Sequence, residues 1–455
     1  MARVNFRASE VTYTGIDMRY RRLMFALFAT ALLAQERHVV VISIDGFPAS
    51  ILRDPGLPFT TLQRMAREGA SAEGMVPVNP TVTWPNHTAI ISGVGPAQHG
   101  VLYNGLVTRG GDGKSLKVEP WVDKKELVLA PTVYDAARAA GMTTAEVDWV
   151  AIYPTSTVTW AFPEQPKLEQ PEVREMIAAG VVTEDEIRNW SKSPINVHDD
   201  VWVRAGIHLI EKHKPNLLLF HTLTTDSTHH TYGPNSLAGN TALILADRQV
   251  ERLLGAIERA GIRDTTTVFV VSDHGFKGYR KVIHPNAILR AKGLLRDAAD
   301  CDAWTISEGG SAMVYVTREG KRAETVKAMN EAFQGVPGIA RVIPPEEFEK
   351  LGYPKWTPGG RMADLVLAAQ PGYAFDASIA GEAVTDVNPG SNPGAHGYLN
   401  SDADMQEILV AWGAGIRPGA KLGLVPNINV APTIAKLLGL TWPSDRGQAL
   451  AGFLK

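Results

Sequence analysis

Apolar and polar positions follow two rhythms along the chain. After residue 36, short unbroken apolar runs give way to stretches whose apolar residues recur every three or four positions. That pattern predicts buried strands separated by amphipathic helices. Val39 to Ile44 reads as a strand ending in Asp45-Gly46, and Leu62, Met65 and Ala66 mark one face of a helix stopped at Gly69. Leu217 to Phe220 and Val268 to Val271 repeat the strand pattern, the second running into Ser272-Asp273-His274-Gly275. Between them, Leu243, Val250, Leu253, Leu254 and Ile257 form the apolar side of a helix expected over 243–260. Ile408 to Trp412 is a late strand, with a helix over 431–438 after it. The alternation predicts an α/β sheet.

Acids fall at one place in this pattern. Asp45, Asp226 and Asp273-His274 each lie at or just beyond the carboxyl end of an apolar strand. That edge is where open α/β sheets bind ligands. Between residues 291 and 365 the rhythm changes. Ala312 to Val316, a helix from Arg322 to Phe333, Ile339 to Ile343 and Ala363 to Ala368 predict a small inserted α+β subdomain. The stretch from Asn104 to Ile195, rich in Pro, Trp and Thr, reads as a second set of insertions near the site.

Composition narrows the function. With 20% charged and 45% hydrophobic residues, the 455-residue chain is ordinary for a soluble enzyme. A net charge of −3 leaves no basic excess for a nucleic-acid scaffold, though a small nucleotide remains open as substrate. The single cysteine, Cys301, excludes a disulfide framework and a cysteine-based zinc knuckle, so any metal must be held by His, Asp or Glu. Arg19, Arg21 and Arg22 precede the apolar and small run Leu23 to Ala34, which reads as an export signal over residues 18–34 starting at Met18. Cleavage is expected at Ala29-Thr30-Ala31 or at Ala34-Gln35. About a dozen apolar residues are too few to cross a bilayer, so no stable membrane span is expected in the mature chain. Export with one cysteine suits a bacterial periplasm or secretion.

The candidate chemistry centres on Thr83, in Pro80-Thr81-Val82-Thr83-Trp84-Pro85-Asn86-His87. The Pro-Asn turn is expected to open a helix near His87, which sets the hydroxyl beside free backbone N–H groups and a positive helix end. A threonine needs a base or a metal to become a nucleophile. Asp226-x-x-x-His230 puts both side chains on one side if the segment is helical. Asp273 and His274 share a strand end, and His396 stands between Gly394 and Gly397. With Asp45 these are three Asp and three His, a donor set suited to two zinc ions with positions left open. Two metals about 4 Å apart suit in-line displacement at phosphorus. His229 lacks the four-residue spacing and is expected to be a spectator.

Taken in order, Asp45-Gly46-Phe47, Thr83-Trp84-Pro85-Asn86-His87, Gly93-x-x-Pro96-x-x-His99-Gly100, Asp226-x-x-x-His230-x-Tyr232-Gly233-Pro234, Ser272-Asp273-His274-Gly275 and Gly394-x-His396-Gly397-Tyr398 resemble the nucleotide pyrophosphatase/phosphodiesterase family of the alkaline phosphatase superfamily. The resemblance runs from about residue 38 to 440 apart from the insertions, and the segment 430–439 is similar to the superfamily's C-terminal helix. It implies a three-layer α/β/α sandwich, with a catalytic core over 35–290 and 366–455 and the subdomain 291–365 inserted. It also implies that Thr83 is the nucleophile and forms a phosphothreonine. One zinc is implied at Asp45, Asp273, His274 and the Thr83 hydroxyl, and a second, which activates water, at Asp226, His230 and His396. Asn104 and the Trp84 N–H are implied to bind a phosphoryl oxygen. Trp84 replaces the usual Phe, and His87 and His99 match structural positions.

Threonine-based monoesterases of the superfamily carry a Lys-x-Arg in a segment similar to 145–152, where this chain has Val147 and Trp149. An apolar surface there suits the second ester group of a diester. Trp84, Tyr103, Trp149 and Tyr153 are candidates for stacking on a leaving group, with plain packing as the alternative. The expectation is a zinc phosphodiesterase acting on small phosphate esters. Its alternatives are a monoesterase of the same superfamily and a non-catalytic binding protein that keeps the fold. Cys301 lacks the Cys-x-Pro-x-Arg context of a sulfatase.

Overall fold

Eight strands form the main sheet: β1 (His38–Ile44), β2 (Ala70–Val76), β3 (Thr144–Val147), β4 (Trp160–Phe162), β5 (Leu217–Thr222), β6 (Thr266–Val271), β7 (Leu409–Gly413) and β8 (Ala420–Pro426). The structure, a computed structural model, describes residues 36–154 and 158–455, and the expected export signal at 18–34 lies outside them. The strand order is β8-β2-β7-β6-β1-β5-β3-β4. β7 pairs antiparallel with β6 and β2, while the other pairings are parallel. β1 lies at the centre, with Val39 opposite both Leu217 and Thr267.

Both faces of the sheet are covered, which is why its central strands read as unbroken apolar runs rather than alternating ones. Val40, Ile42 and Ile44 pack with Leu62, Met65, Trp202 and Leu253, and Val39 and Val41 pack with Ile90, Ile91, Val133 and Ile434. The first set belongs to the helices Thr60–Glu68, Ile195–His208 and Leu237–Arg259, the second to Thr83–Ser92, Val133–Ala139 and Val430–Leu438. The result is the expected three-layer α/β/α sandwich. Leu253 is wholly buried, so its truncation to Ala would cost about 3 kcal/mol. The long helix begins at Leu237, earlier than its apolar stripe, because the Ser236 side chain accepts from the Gly239 N–H and caps it.

One sequence expectation changes, and two strands the apolar pattern does not mark are added. The stretch from Asn104 to Ile195 is not only insertion, because β3 and β4 extend the main sheet. Glu146 and Thr144 interrupt the apolar pattern of β3, although all four of its residues are buried. β2 and β8, the pair at the other margin, carry Ser, Glu, Lys and Gly and show no apolar run.

A second sheet is antiparallel, in the order Ala303–Ser307, Ser311–Val316, Leu365–Ala369, Ile339–Ile343. With the helix Arg322–Phe333 it encloses its own core of Val314, Met329, Phe333, Leu365 and Leu367. Arg37–Lys455 nonetheless form one compact unit. Among the described residues no helix is long and apolar enough to cross a membrane.

Candidate active site

The carboxyl ends of β1, β2, β5 and β6 share one edge, and the chemistry-bearing residues gather there. Asp45 directly follows β1, and its N–H extends the ladder to the Thr222 carbonyl at 3.0 Å. Asp273 and His274 follow β6, and the Gly46 N–H donates to Asp273 Oδ1 at 3.1 Å. Gly46 has φ +66°, and a Cβ there would lie 2.9 Å from the Phe276 ring, so the turn that joins these two strand ends requires glycine. Asp226 and His230 lie on the helix Thr224–Tyr232, one turn apart as the spacing predicted. His396 comes from the loop after the short strand Gly394–Ala395.

Thr83 opens the helix Thr83–Ser92, four residues earlier than the sequence suggested, after an extended Val82 (φ −130°, ψ 154°). Pro85 is tolerated in this first turn because its missing N–H would have no partner within the helix. Asn86 fixes the approach. Its Oδ1 accepts from the Val78 N–H (2.7 Å) and Asn427 Nδ2 (2.9 Å), and its Nδ2 donates to the Pro80 and Val82 carbonyls (both 3.0 Å). Thr83 Oγ1 thereby lies 3.4 Å from His274 Nε2.

Two triads result. The donor atoms of Asp45, Asp273 and His274 lie within 4.8 Å of one another, as do those of Asp226, His230 and His396. His274 Nε2 is 3.2 Å from Asp45 Oδ1 and 3.4 Å from Asp273 Oδ2. Asp226 Oδ1 is 3.4 Å from His230 Nε2 and 3.8 Å from His396 Nε2. The imidazoles of His274 and His396 stack at 3.8 Å, so the triads adjoin.

The donors fit metal ions. Each of these imidazoles turns Nδ1 to a backbone carbonyl: His274 to Gly275 (3.1 Å), His396 to Thr81 (3.0 Å) and His230 to Gly394 (3.3 Å). A carbonyl only accepts, so Nδ1 carries the proton and Nε2 faces the carboxylates, the orientation that metal-ligating histidines adopt. Asp45 Oδ1, Asp273 Oδ2 and Asp226 Oδ1 are buried without a hydrogen bond. Orphaned buried oxygens aimed at imidazole lone pairs are costly, and a cation between them would relieve both.

Burial and neighbouring charges set the ionisation of these groups in the metal-free chain. Burial pushes Asp45 up, but His221 and His274 outweigh it and hold the carboxyl well below its ordinary range. Burial and the Asp45 charge push Asp273 up. Burial lowers His274, yet the Asp273 and Asp45 carboxylates lift it to about 9. Burial, with His274 and His230 nearby, holds His396 well below its usual value.

The remaining expected residues divide. The Trp84 N–H donates to Asn104 Oδ1 at 3.0 Å, so two groups expected to act side by side are bonded to each other. The Trp84 indole is buried among Val101, Leu127 and Val128. Val147 and Trp149 are wholly buried and present no surface to a substrate, which corrects the expectation for that segment. Trp149 packs edge-on against His87 at 4.7 Å. Tyr103 is buried with its hydroxyl 2.8 Å from that of Tyr315. Tyr153 lies against Trp121 on the wall of a cavity of about 790 Å³. His87 bonds the Thr83 carbonyl, His99 accepts from the Val101 N–H, and His229 bonds the Gly46 carbonyl. All three are buried, and His87 Nδ1 also lies 3.5 Å from Asp273 Oδ2.

Sequence reasoning missed His221. It lies within β5, with Nε2 3.0 Å from Asp45 Oδ2 and Nδ1 3.1 Å from Asp148 Oδ2. The signal was a histidine interrupting an apolar strand five residues before Asp226. Asp148 has φ +56°, rare for a residue with a side chain.

Residues 39–399 match the family described as Type I phosphodiesterase / nucleotide pyrophosphatase. The chain belongs to this family. It is thus a phosphodiester hydrolase of a metal-dependent family. The enzyme is 24% identical over 430 residues to human ectonucleotide pyrophosphatase/phosphodiesterase family member 7, covering 91% of this chain and 82% of that one. It is 22% identical over 418 residues to the Xenopus laevis bis(5'-adenosyl)-triphosphatase enpp4, covering 90% and 79%. Among solved structures, murine ectonucleotide pyrophosphatase/phosphodiesterase 5, inactive (T72A) and in complex with AMP, shares the fold with a TM-score of 0.70 at 21% identity, over 92% of this chain and 100% of that one.

Proposed function

We propose that this phosphodiesterase works through Thr83 with two zinc ions, one held by Asp45, Asp273, His274 and the Thr83 hydroxyl and the other by Asp226, His230 and His396. The observation that carries the reading is the Thr83 hydroxyl set 3.4 Å from His274 Nε2, where the two carboxylate–imidazole triads adjoin. Thr83 Oγ attacks phosphorus, the bond to the leaving alcohol breaks, and a phosphothreonine forms. Water then attacks the same phosphorus and releases the threonine. When bound, the zinc ions supply Lewis-acid charge that favours the ionised hydroxyl of threonine and of water and offsets charge on the phosphoryl oxygens. Asn104 offers amide donors to a non-bridging oxygen. Asn86 and the carbonyl contact of His87 keep the nucleophile on its helix end.

A diester is favoured over a monoester. The murine relative's description, inactive with T72A and bound to AMP, supports both a catalytic threonine and a nucleotide-type ester. The second sheet and its core support reading 291–365 as an inserted subdomain flanking the core. The relatives' names, as ectonucleotide enzymes, support export, here to a periplasm or the medium.

The test compares hydrolysis of bis-p-nitrophenyl phosphate and p-nitrophenyl phosphate, with and without chelator, by the wild type and Thr83→Ala. Faster diester hydrolysis, lost on chelation and restored by zinc, is expected. A monoester preference overturns the substrate reading. Chelator-resistant activity or an unimpaired Thr83→Ala overturns the mechanism.

A further inference from the structure

A third constellation lies at the opposite edge of the main sheet. Glu175 projects from the helix Pro171–Ala178, His208 ends the helix Ile195–His208, and His213 ends the π-helical turn Leu209–His213. His208 and His213 are five residues apart, a spacing that diverges on an α-helix. The π turn, with its i to i+5 repeat, brings them onto one face. Both Nε2 atoms then lie 2.7 Å from a single oxygen, Glu175 Oε1. The donor atoms of all three residues lie within 4.8 Å of one another.

The neighbours hold this arrangement without closing it. The His213 ring stacks on Trp160 at 4.4 Å and 24°, which fixes its plane. The imidazoles are only 10% and 15% exposed, while the carboxylate is 31% exposed, so the group is sheltered yet reachable. His213 precedes β5 and Trp160 opens β4, so the cluster sits at the amino-terminal edge of parallel strands whose carboxyl ends lead to the catalytic triads. Six residues of β5 separate the two edges by about 20 Å. No step at Thr83 uses it.

We propose that Glu175, His208 and His213 form a non-catalytic site for a zinc-like divalent cation, with water as the fourth ligand, that clamps the helix Pro171–Ala178 to the π turn. Two imidazoles and one carboxylate with an open position form a recurrent zinc donor set. Contact distances of 2.7 Å between donors must widen by about 0.6 Å to reach tetrahedral separations around the ion, a motion the partly exposed Glu175 side chain can make. The competing arrangement is a plain ion pair. Lys212 Nζ lies 3.3 Å from the same oxygen, but it is half exposed on a flexible stem and can turn to solvent.

The experiment uses the full chain with its catalytic zinc in place, titrated with further zinc, and compares the wild type with His208→Gln/His213→Gln. Metal analysis after removal of loose ions is expected to show one more equivalent in the wild type. Its melting temperature should rise by about 3 °C at a hundredfold excess over Kd, and that of the double variant should not. Diesterase kcat/KM should match between the two. Thr83→Ala should keep the extra equivalent, which separates this site from the catalytic reading. Equal zinc content and equal thermal response in the two proteins would overturn the proposal and leave an ion pair. If the double variant does not fold, Glu175→Gln and the wild type are compared by cobalt absorption. An extra tetrahedral cobalt band confined to the wild type supports the site, and identical spectra reject it.

Discussion

Asp45, Asp273 and His274 are wholly buried at the ends of adjacent parallel strands, whereas Asp226 and His230 stand on a helix and His230 is nearly half exposed. The donor chemistry is nearly the same, and the setting is not. In the first triad, strand register, the Gly46 turn and His221 fix every group, and burial shifts the ionisation of each. In the second, a helical spacing and one loop histidine make the set, with water close by. A rigid buried set suits holding a nucleophile in one geometry. An open set suits admitting substrate and the water of the second step.

The comparison can be broken at Thr83, the proposed nucleophile. Thr83→Ala is expected to lower kcat for bis-p-nitrophenyl phosphate by ~10⁴ or more while both metals remain bound. Steady-state rates and metal content measured together check this, and a loss under tenfold would detach Thr83 from the buried triad.

Next in size is the contrast between triads. Asp273→Asn should cost ~10³ in kcat/KM with no recovery in excess zinc, since a preorganised buried group is lost. His230→Asn should cost ~10 to ~10² and recover partly as zinc is raised. Activity followed across zinc concentration decides it, and the reverse ranking would undo the assignment of roles by burial.

A smaller effect is expected behind the buried triad. His221 touches Asp45 but not the Thr83 hydroxyl, so His221→Asn should weaken zinc retention ~10 to ~10² while leaving the zinc-saturated rate close to wild type. Timed loss of zinc to a chelator measures this. Unchanged retention would make His221 a packing residue.

How far the sequence exposed this site depends on what kind of signal each residue carries. Asp45, Asp226, Asp273 and His274 were legible because a strand's carboxyl end is visible as the stop of an apolar run. Asp226 and His230 were legible because four-residue spacing has one meaning on a helix. The start of the helix at Thr83 was not, because Pro85 reads as a break although the first turn accepts it. Trp149 was misplaced because a short strand with Glu146 and Thr144 hides its two-sided burial. Asn86 bonds Asn427 across 341 positions, and no local pattern encodes such a contact. β2 and β8, pairing through a mixture of Ser, Glu, Gly and Lys, were hidden for the same reason.

The mildest test concerns protons in the metal-free chain. His274 is lifted to about 9 and His221 well above its usual value, so each binds a proton more tightly when folded. That contribution is complete below about pH 6.5 and lost as pH rises through the folded values. Burial lifts Glu146 to about 8 and, together with the Asp45 charge, lifts Asp273. These carboxyls also hold protons that the unfolded chain releases above about pH 4, so the sign is the same. Asp45, held low, opposes them only below about pH 4. Burial holds His396, His87, His99 and His229 low, and these oppose the trend only below about pH 6.5, so the melting temperature of chelated protein should fall between about pH 6.5 and pH 9. Zinc requires deprotonated Asp273 and His274, so the loaded enzyme should lose less on the alkaline side and more on the acid side. Parallel profiles with and without zinc would show that the buried carboxylates and imidazole do not exchange their protons for metal.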